Sequence, residues 1–326
     1  MDLQQMRYVV AVAETANFTR AAERCRVVQS ALSHQIARLE KELGARLFEH
    51  TSRRVRLTPA GEAFLPAARQ ALDAADRARA EVAAAAGEIR GRLTIGAIPT
   101  VTAVDLAQVL REYRHRHPQV RISLRAGSSE NLLEQVRAGA LDAAFLGVLP
   151  GFRAQGVRDH ELARGELVAV VAPGHPLARA GGPGATVDLR RLSEEVFVDF
   201  AAGSAARAQS EEAFAAAGLR REVAFEVSGV EFLARLVRNG LGIGMLPAAY
   251  AAELPGLAVV PVRDAPGRVE RLVWSRHRPS PAAAAFLTRL GVDPHAEGSA
   301  HSGGVGGRTG SAGAQGGGGR VGPTGA

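Results

Sequence analysis

Apolar residues recur at helical spacing over the first fifty positions. Leu3, Met6, Val9, Val10 and Ala13 predict a first short helix with these side chains turned inward. Asn17-Phe18-Thr19 interrupts the pattern, with Thr19 the expected N-cap of a second helix over residues 20–25. A turn over residues 26–28 precedes a third helix over 29–43, with Leu32, Ile36, Leu39 and Leu43 on one face and Gly44 closing it. Two short helices across such a turn make the helix-turn-helix pattern. Residues 45–48 and 55–57 read as two strands around a polar, basic tip at 50–54, which suits a wing. Thr58 before Pro59 is a strong helix start. The helix it opens runs to about Gly87, roughly 43 Å at 1.5 Å per residue. Its stripe of Phe64, Leu65, Ala68, Leu72, Ala75, Val82 and Ala86 favours pairing with a second helix.

From Arg92 the pattern changes to strands alternating with helices. Strands at 93–97, 120–124 and 143–147, separated by helices at 104–116 and 131–138, give a βαβαβ order and predict a parallel sheet. A second series starts at 167–172. It continues with a strand at 196–198, a helix at 205–217, a strand at 223–227, a helix at 231–239 and a strand at 243–246. A strand at 272–274 and a helix at 281–290 close the patterned region. Residues 294–326 hold thirteen of the 37 glycines and no aromatic residue, so they are expected to form a disordered tail.

The composition, 46% hydrophobic and 22% charged, is that of an ordinary globular chain of 326 residues. The net charge of +7 is uneven: residues 1–60 carry ten Lys/Arg against six Asp/Glu. Apart from Lys41 every basic residue is arginine, the better reader of phosphates and base edges. One cysteine, Cys25, excludes an intramolecular disulfide and any zinc site needing two thiolates. No apolar run reaches the ~18 residues of a membrane span, and the N-terminal residues lack the charged and apolar regions of a secretory signal, so a cytoplasmic location is expected.

The first 65 residues resemble the DNA-binding end of LysR-type transcriptional regulators. The matching text is Phe18-Thr19-Arg20-Ala21-Ala22-Glu23, Gln29, Ala31-Leu32-Ser33, Gln35-Ile36, Leu39-Glu40, Leu43-Gly44, Leu47-Phe48-Glu49 and the run from Thr51 to Glu62. The likeness continues more loosely to Leu290, through strand order and the phrase Val237 to Pro247. It implies an α/β protein with a winged helix-turn-helix at 1–58, a long linker and dimerisation helix at 59–90, and a two-lobed effector domain like a periplasmic solute-binding protein. Lobe 1 would be 91–163 completed by 265–293, lobe 2 164–264, and 294–326 has no counterpart. Two departures stand out. The family usually has Ser at 28 and Pro at 30, where this chain has Val28 and Ser30, so Ser30 is an alternative cap that would start the helix two residues later. The family commonly has Arg at 34 and 50, where this chain has His34 and His50.

The resemblance assigns base reading to Gln29, Ser30, Ser33 and His34, of which Gln suits a bidentate contact to adenine. Thr19 and Arg38 would hold phosphates, and Arg53 or Arg54 on the wing would enter a narrow minor groove. In a two-lobed α/β domain the ligand sits at the carboxyl ends of strands, and among the several strand ends here the resemblance marks Thr100, Thr102, Ser128 and Phe200 for a small-molecule effector. None of these positions is an arginine, so the charge of the effector stays open. The expected partners are promoter DNA, the effector, the chain itself as a homodimer or homotetramer, and RNA polymerase. No cofactor, metal or catalytic residue is expected: there is no nucleophile elbow, Walker loop or dinucleotide fingerprint, and the His115 and His117 spacing is poor for a metal. The alternative is an enzyme or solute-binding protein with an accessory DNA-binding head.

Overall fold

The computed structural model describes residues 1–51, 54–179 and 186–295. Arg53 and residues 296–326 of the expected tail lie outside the described residues, as does the side chain of Arg54.

Three helices and a hairpin build the N-terminal unit: α1 Leu3–Thr15, α2 Phe18–Cys25, α3 Gln29–Leu43, β1 Phe48–Thr51 and β2 Arg54–Leu57, the strands antiparallel. Its core joins Val9, Val12, Ala21, Leu32, Ile36, Leu39 and Leu47, with Phe18 set edge-to-face on Phe48 at 5.8 Å. The buried face of α1 is Gln5, Tyr8, Val9 and Val12, rotated from the expected apolar stripe, and Leu3 is exposed. A polar residue takes the inner position because its bonds are made there. Gln5 accepts from the Asp2 N–H at 3.1 Å and donates to the Gln35 amide oxygen at 3.2 Å. Leu43, expected in the core, is 40% exposed where α3 overruns it.

Two expected caps move. Asn17, not Thr19, caps α2, its side chain accepting from the Arg20 N–H at 2.9 Å. Helix α3 starts at Gln29 behind Val28, which makes no side-chain cap bond, so Ser30 lies inside the helix and is not its cap. Thr58 does cap the long α4, Pro59–Ala85, accepting from the Gly61 N–H at 3.0 Å. Gly61 is needed there, since a Cβ would stand 2.1 Å from the Leu47 carbonyl oxygen. At 27 residues α4 is about 40 Å long. Of its expected stripe, Ala68 is buried against α1 while Val82 is 72% exposed.

The rest is a mixed sheet in two lobes. In the first, β3 Gly91–Ala97 lies between β4 Val120–Ala126 and β5 Ala143–Val148, all parallel as expected, with α5 Leu106–Arg116 and α6 Ser129–Arg137 as crossovers. Period-two alternation sends Phe145, Leu272 and Trp274 to one face, under α5 and α12 Pro281–Arg289, and Ala144, Leu146 and Val273 to the other, under α6. The strand β11, Gly267–Ser275, pairs antiparallel with β5 and then with β6.

Strand β6, Val157–Val171, joins the lobes. Its first half pairs with β11. Its second half pairs with β9 Gly244–Pro247 and β10 Ala258–Val260 in the second lobe. The pattern showed only 167–172, because residues 157–166 alternate poorly and are charged. Those charges are met across the sheet, where Arg271 of β11 pairs with Asp159 and Glu161. The second lobe also holds parallel β7 Val196–Phe200 and β8 Glu222–Val227, with α9 Ala205–Ala216 between them and α10 Val230–Arg238 after them. Short helices α7 Pro176–Arg179, α8 Leu189–Leu192 and α11 Ala248–Ala251 fill its rim.

Candidate functional site

Two places gather the candidate residues. The first is the exposed start of α3. Leu32, Ile36 and Leu39 anchor the helix in the core, which leaves Gln29, Ser30, His34 and Arg38 exposed and Ser33 half-buried. The Gln29 amide donates to the Ser33 hydroxyl at 2.9 Å, one turn apart. That bond leaves the Gln29 carbonyl oxygen and one amide hydrogen free for an outside partner. Thr19 sits exposed in the first turn of α2.

The second is a cavity of about 430 Å³ between the lobes. It lies where strands end and helices begin: Ile98 to Thr100 after β3, Ser128 and Ser129 at the start of α6, Phe200 to Ser204 after β7, and Val227 and Ser228 at the end of β8. Of the four effector candidates, Thr100, Ser128 and Phe200 are among its lining residues. The Ser128 hydroxyl also caps α6, accepting from the Asn131 N–H at 3.4 Å. Thr102 is not among the lining residues. Its hydroxyl donates to the Glu270 carboxylate at 2.7 Å, and its N–H to the same group at 3.0 Å. A carboxylate from a strand about 170 positions away captures it, which no local pattern reveals.

Arg268 is not among the residues that the sequence pattern singles out. It lies on β11, 5% exposed, and is the one charged side chain among the described residues lining the cavity. Its Nη2 donates to the Thr100 carbonyl at 2.9 Å and reaches Glu270 at 3.4 Å, while its buried Nε has no partner. Burial pulls its pKa below the ordinary arginine value and Glu270 partly restores it; a guanidinium stays charged regardless. Gly147, paired with Glu270 across β5 and β11, makes the room: a Cβ there would stand 2.8 Å from Arg268 Nη2. The signal in the sequence was one charged residue, two before Glu270, on the inward face of a strand.

Among the described residues no group of three His, Cys, Asp or Glu is placed to hold a metal ion, and no helix is long and apolar enough to cross a membrane. The buried Asp199 pairs with Arg221 at 2.6 Å, beside Phe197 and Phe214.

Residues 3–62 match the bacterial regulatory helix-turn-helix family of LysR type, and residues 86–291 match the LysR substrate binding domain. The transcriptional dual regulator GltC of Bacillus subtilis is 34% identical over 253 residues, covering 78% of this chain and 83% of GltC. A probable hydrogen peroxide-inducible genes activator of Mycobacterium avium is 33% identical over 300 residues, covering 84% and 94%. The structure of full-length CbnR, solved with its target DNA, superposes with a TM-score of 0.67 at 26% identity, over 89% of this chain and 99% of that one. These relatives are regulators, and none of them supports an enzyme or solute carrier with an accessory head. The chain belongs to the LysR family of transcriptional regulators, with a helix-turn-helix unit at its start and a two-lobed effector-binding domain behind it.

Proposed function

We propose that α3 reads promoter DNA and that the interlobe cavity holds the effector that modulates this binding. The observation that carries the DNA-reading role is the exposed first half of α3, where Gln29, Ser30, Ser33 and His34 stand together. Residues of this kind at the start of a recognition helix match the donor and acceptor pattern of a major groove. Thr19 and Arg38 flank them as phosphate contacts, and Arg53 or Arg54 is the minor-groove contact of this reading.

The working division is DNA binding by 1–58, subunit pairing by 59–90, lobe 1 at 91–163 with 265–293, lobe 2 at 164–264, and a tail at 294–326. A helix as long as α4 with Val82 uncovered supports homodimer or homotetramer formation. The protein acts in the cytoplasm, on DNA and RNA polymerase. An effector alters DNA binding only through a difference in its affinity for two arrangements of the oligomer.

Thr100, Ser128 and Phe200 form the effector contacts of this reading. The test maps bound genomic DNA for the parent and for Gln29→Ala. The variant should lose the specific sites by about 1–3 kcal/mol and keep non-specific binding. Equal losses on specific and random DNA, with the fold intact, remove Gln29 from base reading.

A further inference from the structure

We propose that the effector carries a carboxylate on an apolar body and that Arg268 binds it. This rests on reading the interlobe cavity as the effector site. The cavity's walls are mostly apolar, through Leu167, Phe200, Val230 and Met245. Into them the fold buries one full positive charge. Its near neighbour Glu270 does not line the cavity. Glu270 is also already occupied, accepting from the Thr102 N–H and hydroxyl and the Ala103 N–H at 2.7–3.2 Å. The guanidinium is left with a buried Nε that bonds nothing. A buried charged donor without a partner is costly, and a carboxylate is the planar two-oxygen acceptor that fits a guanidinium fork.

A second feature points the same way. Helix α6 begins at Ser128 and Ser129, and α9 begins beyond Ser204, all lining the cavity. Helix N-termini favour negative charge. The volume of about 430 Å³ suits a small molecule rather than a polymer. One arginine on a mostly apolar wall, with the Ser128, Ser129 and Ser204 hydroxyls beside it, suits one anionic head on an apolar body, and Glu270 at 3.4 Å from Arg268 Nη2 opposes the further negative charge of a phosphate.

The test uses the full-length protein and calorimetry. The probes are butyrate, hexanoate, cyclohexanecarboxylate and phenylacetate, each against its primary amide, with inorganic phosphate as a further arm. At least one carboxylate should bind more tightly than its amide. Arg268→Met should weaken it about 30-fold or more, the range for removing one partner of a buried charged pair. Arg268→Lys should fall between the two, because it keeps the charge and loses the fork. Circular dichroism and gel filtration confirm that each variant is folded. Ser128→Leu narrows the cavity and separates the two readings. Carboxylate binding that survives Arg268→Met but not Ser128→Leu overturns the arginine assignment and keeps the cavity. Binding that survives both overturns the cavity reading itself. Preference for amides or phosphate, or no binding of any carboxylate at 10 mM (about the weakest affinity of interest), overturns the proposal.

Discussion

The Gln209 amide donates to the Gly147 carbonyl at 3.1 Å, tying α9 of one lobe to β5 of the other at the wall of the cavity. The same carbonyl accepts from the Ser129 hydroxyl at 3.0 Å. A second tie runs from the Ala205 N–H at the start of α9 to the Glu130 carboxylate on α6. The lobes therefore meet through polar bonds beside the site they enclose. Such bonds are individually modest, so a ligand that competes for them can shift the lobes at moderate cost.

Gln209→Ala should remove one tie without leaving the Gly147 carbonyl bare, since Ser129 remains. The expected loss is about 1 kcal/mol in urea unfolding, with faster hydrogen exchange at the lobe junction. Unchanged exchange and stability would show that the bond does not hold the lobes together.

Val28 is the N-cap of α3, is 69% exposed and makes no cap bond. Val28→Ser supplies an oxygen for the free N–H groups of the first turn and loses little packing. It should raise stability by about 1 kcal/mol, read from the urea midpoint. No gain would mean that solvent satisfies that turn as well as a hydroxyl does.

Thr58-Pro59 and Gly44 announced helix ends because capping is a contact within four residues, and the sequence carries both partners. The parallel strands β3, β4 and β5 were legible from their apolar runs and from the helices between them. Asn17 and Thr19 are both capping residue types, and only the backbone path chooses between them. The first half of β6 was hidden because its charges are paid off by Arg271, more than a hundred positions away. Thr102 and Arg268 were hidden for the same reason. The partners that decide their roles, Glu270 and the Thr100 carbonyl, meet them only after β11 docks against the residues that follow β3. Thr100, Ser128 and Phe200 sit at or near strand ends, which the apolar runs locate, but the family resemblance was needed to pick them from the other strand ends.

Tyr113 sets an alkaline limit. It is 1% exposed, its hydroxyl donates to the Ala282 carbonyl at 2.8 Å, and its ring meets Phe286 edge-to-face at 5.7 Å. Burial holds its phenol well above the ordinary tyrosine value. In the unfolded chain the phenol ionises near pH 10. Below that pH both states keep the proton and its contribution is fully present. Above it the unfolded chain loses the proton first, so stability falls by up to about 1.4 kcal/mol per pH unit. Tyr113→Phe should cost about 1 kcal/mol at pH 8 and flatten the decline above pH 10. Parallel alkaline slopes in the two proteins would refute this.

A relative at 33% identity is a probable hydrogen peroxide-inducible genes activator. Peroxide sensing by thiol chemistry begins with a thiolate and usually ends in a disulfide. This chain has one cysteine, so a disulfide within the chain cannot form. Cys25 ends α2 and is half-buried beside the core of the DNA-binding unit. Burial raises its thiol above the ordinary value, and Arg24 and Arg7 offset only part of that rise. The thiolate fraction at neutral pH is therefore below that of an ordinary cysteine. Hydrogen peroxide should leave the DNA footprint and the melting temperature unchanged, and Cys25→Ser should bind DNA as the parent does. A peroxide-dependent footprint that Cys25→Ser abolishes would make Cys25 a sensor after all. A footprint change that persists in Cys25→Ser would instead point to methionine oxidation, with Met245 on the cavity wall as the residue to substitute next.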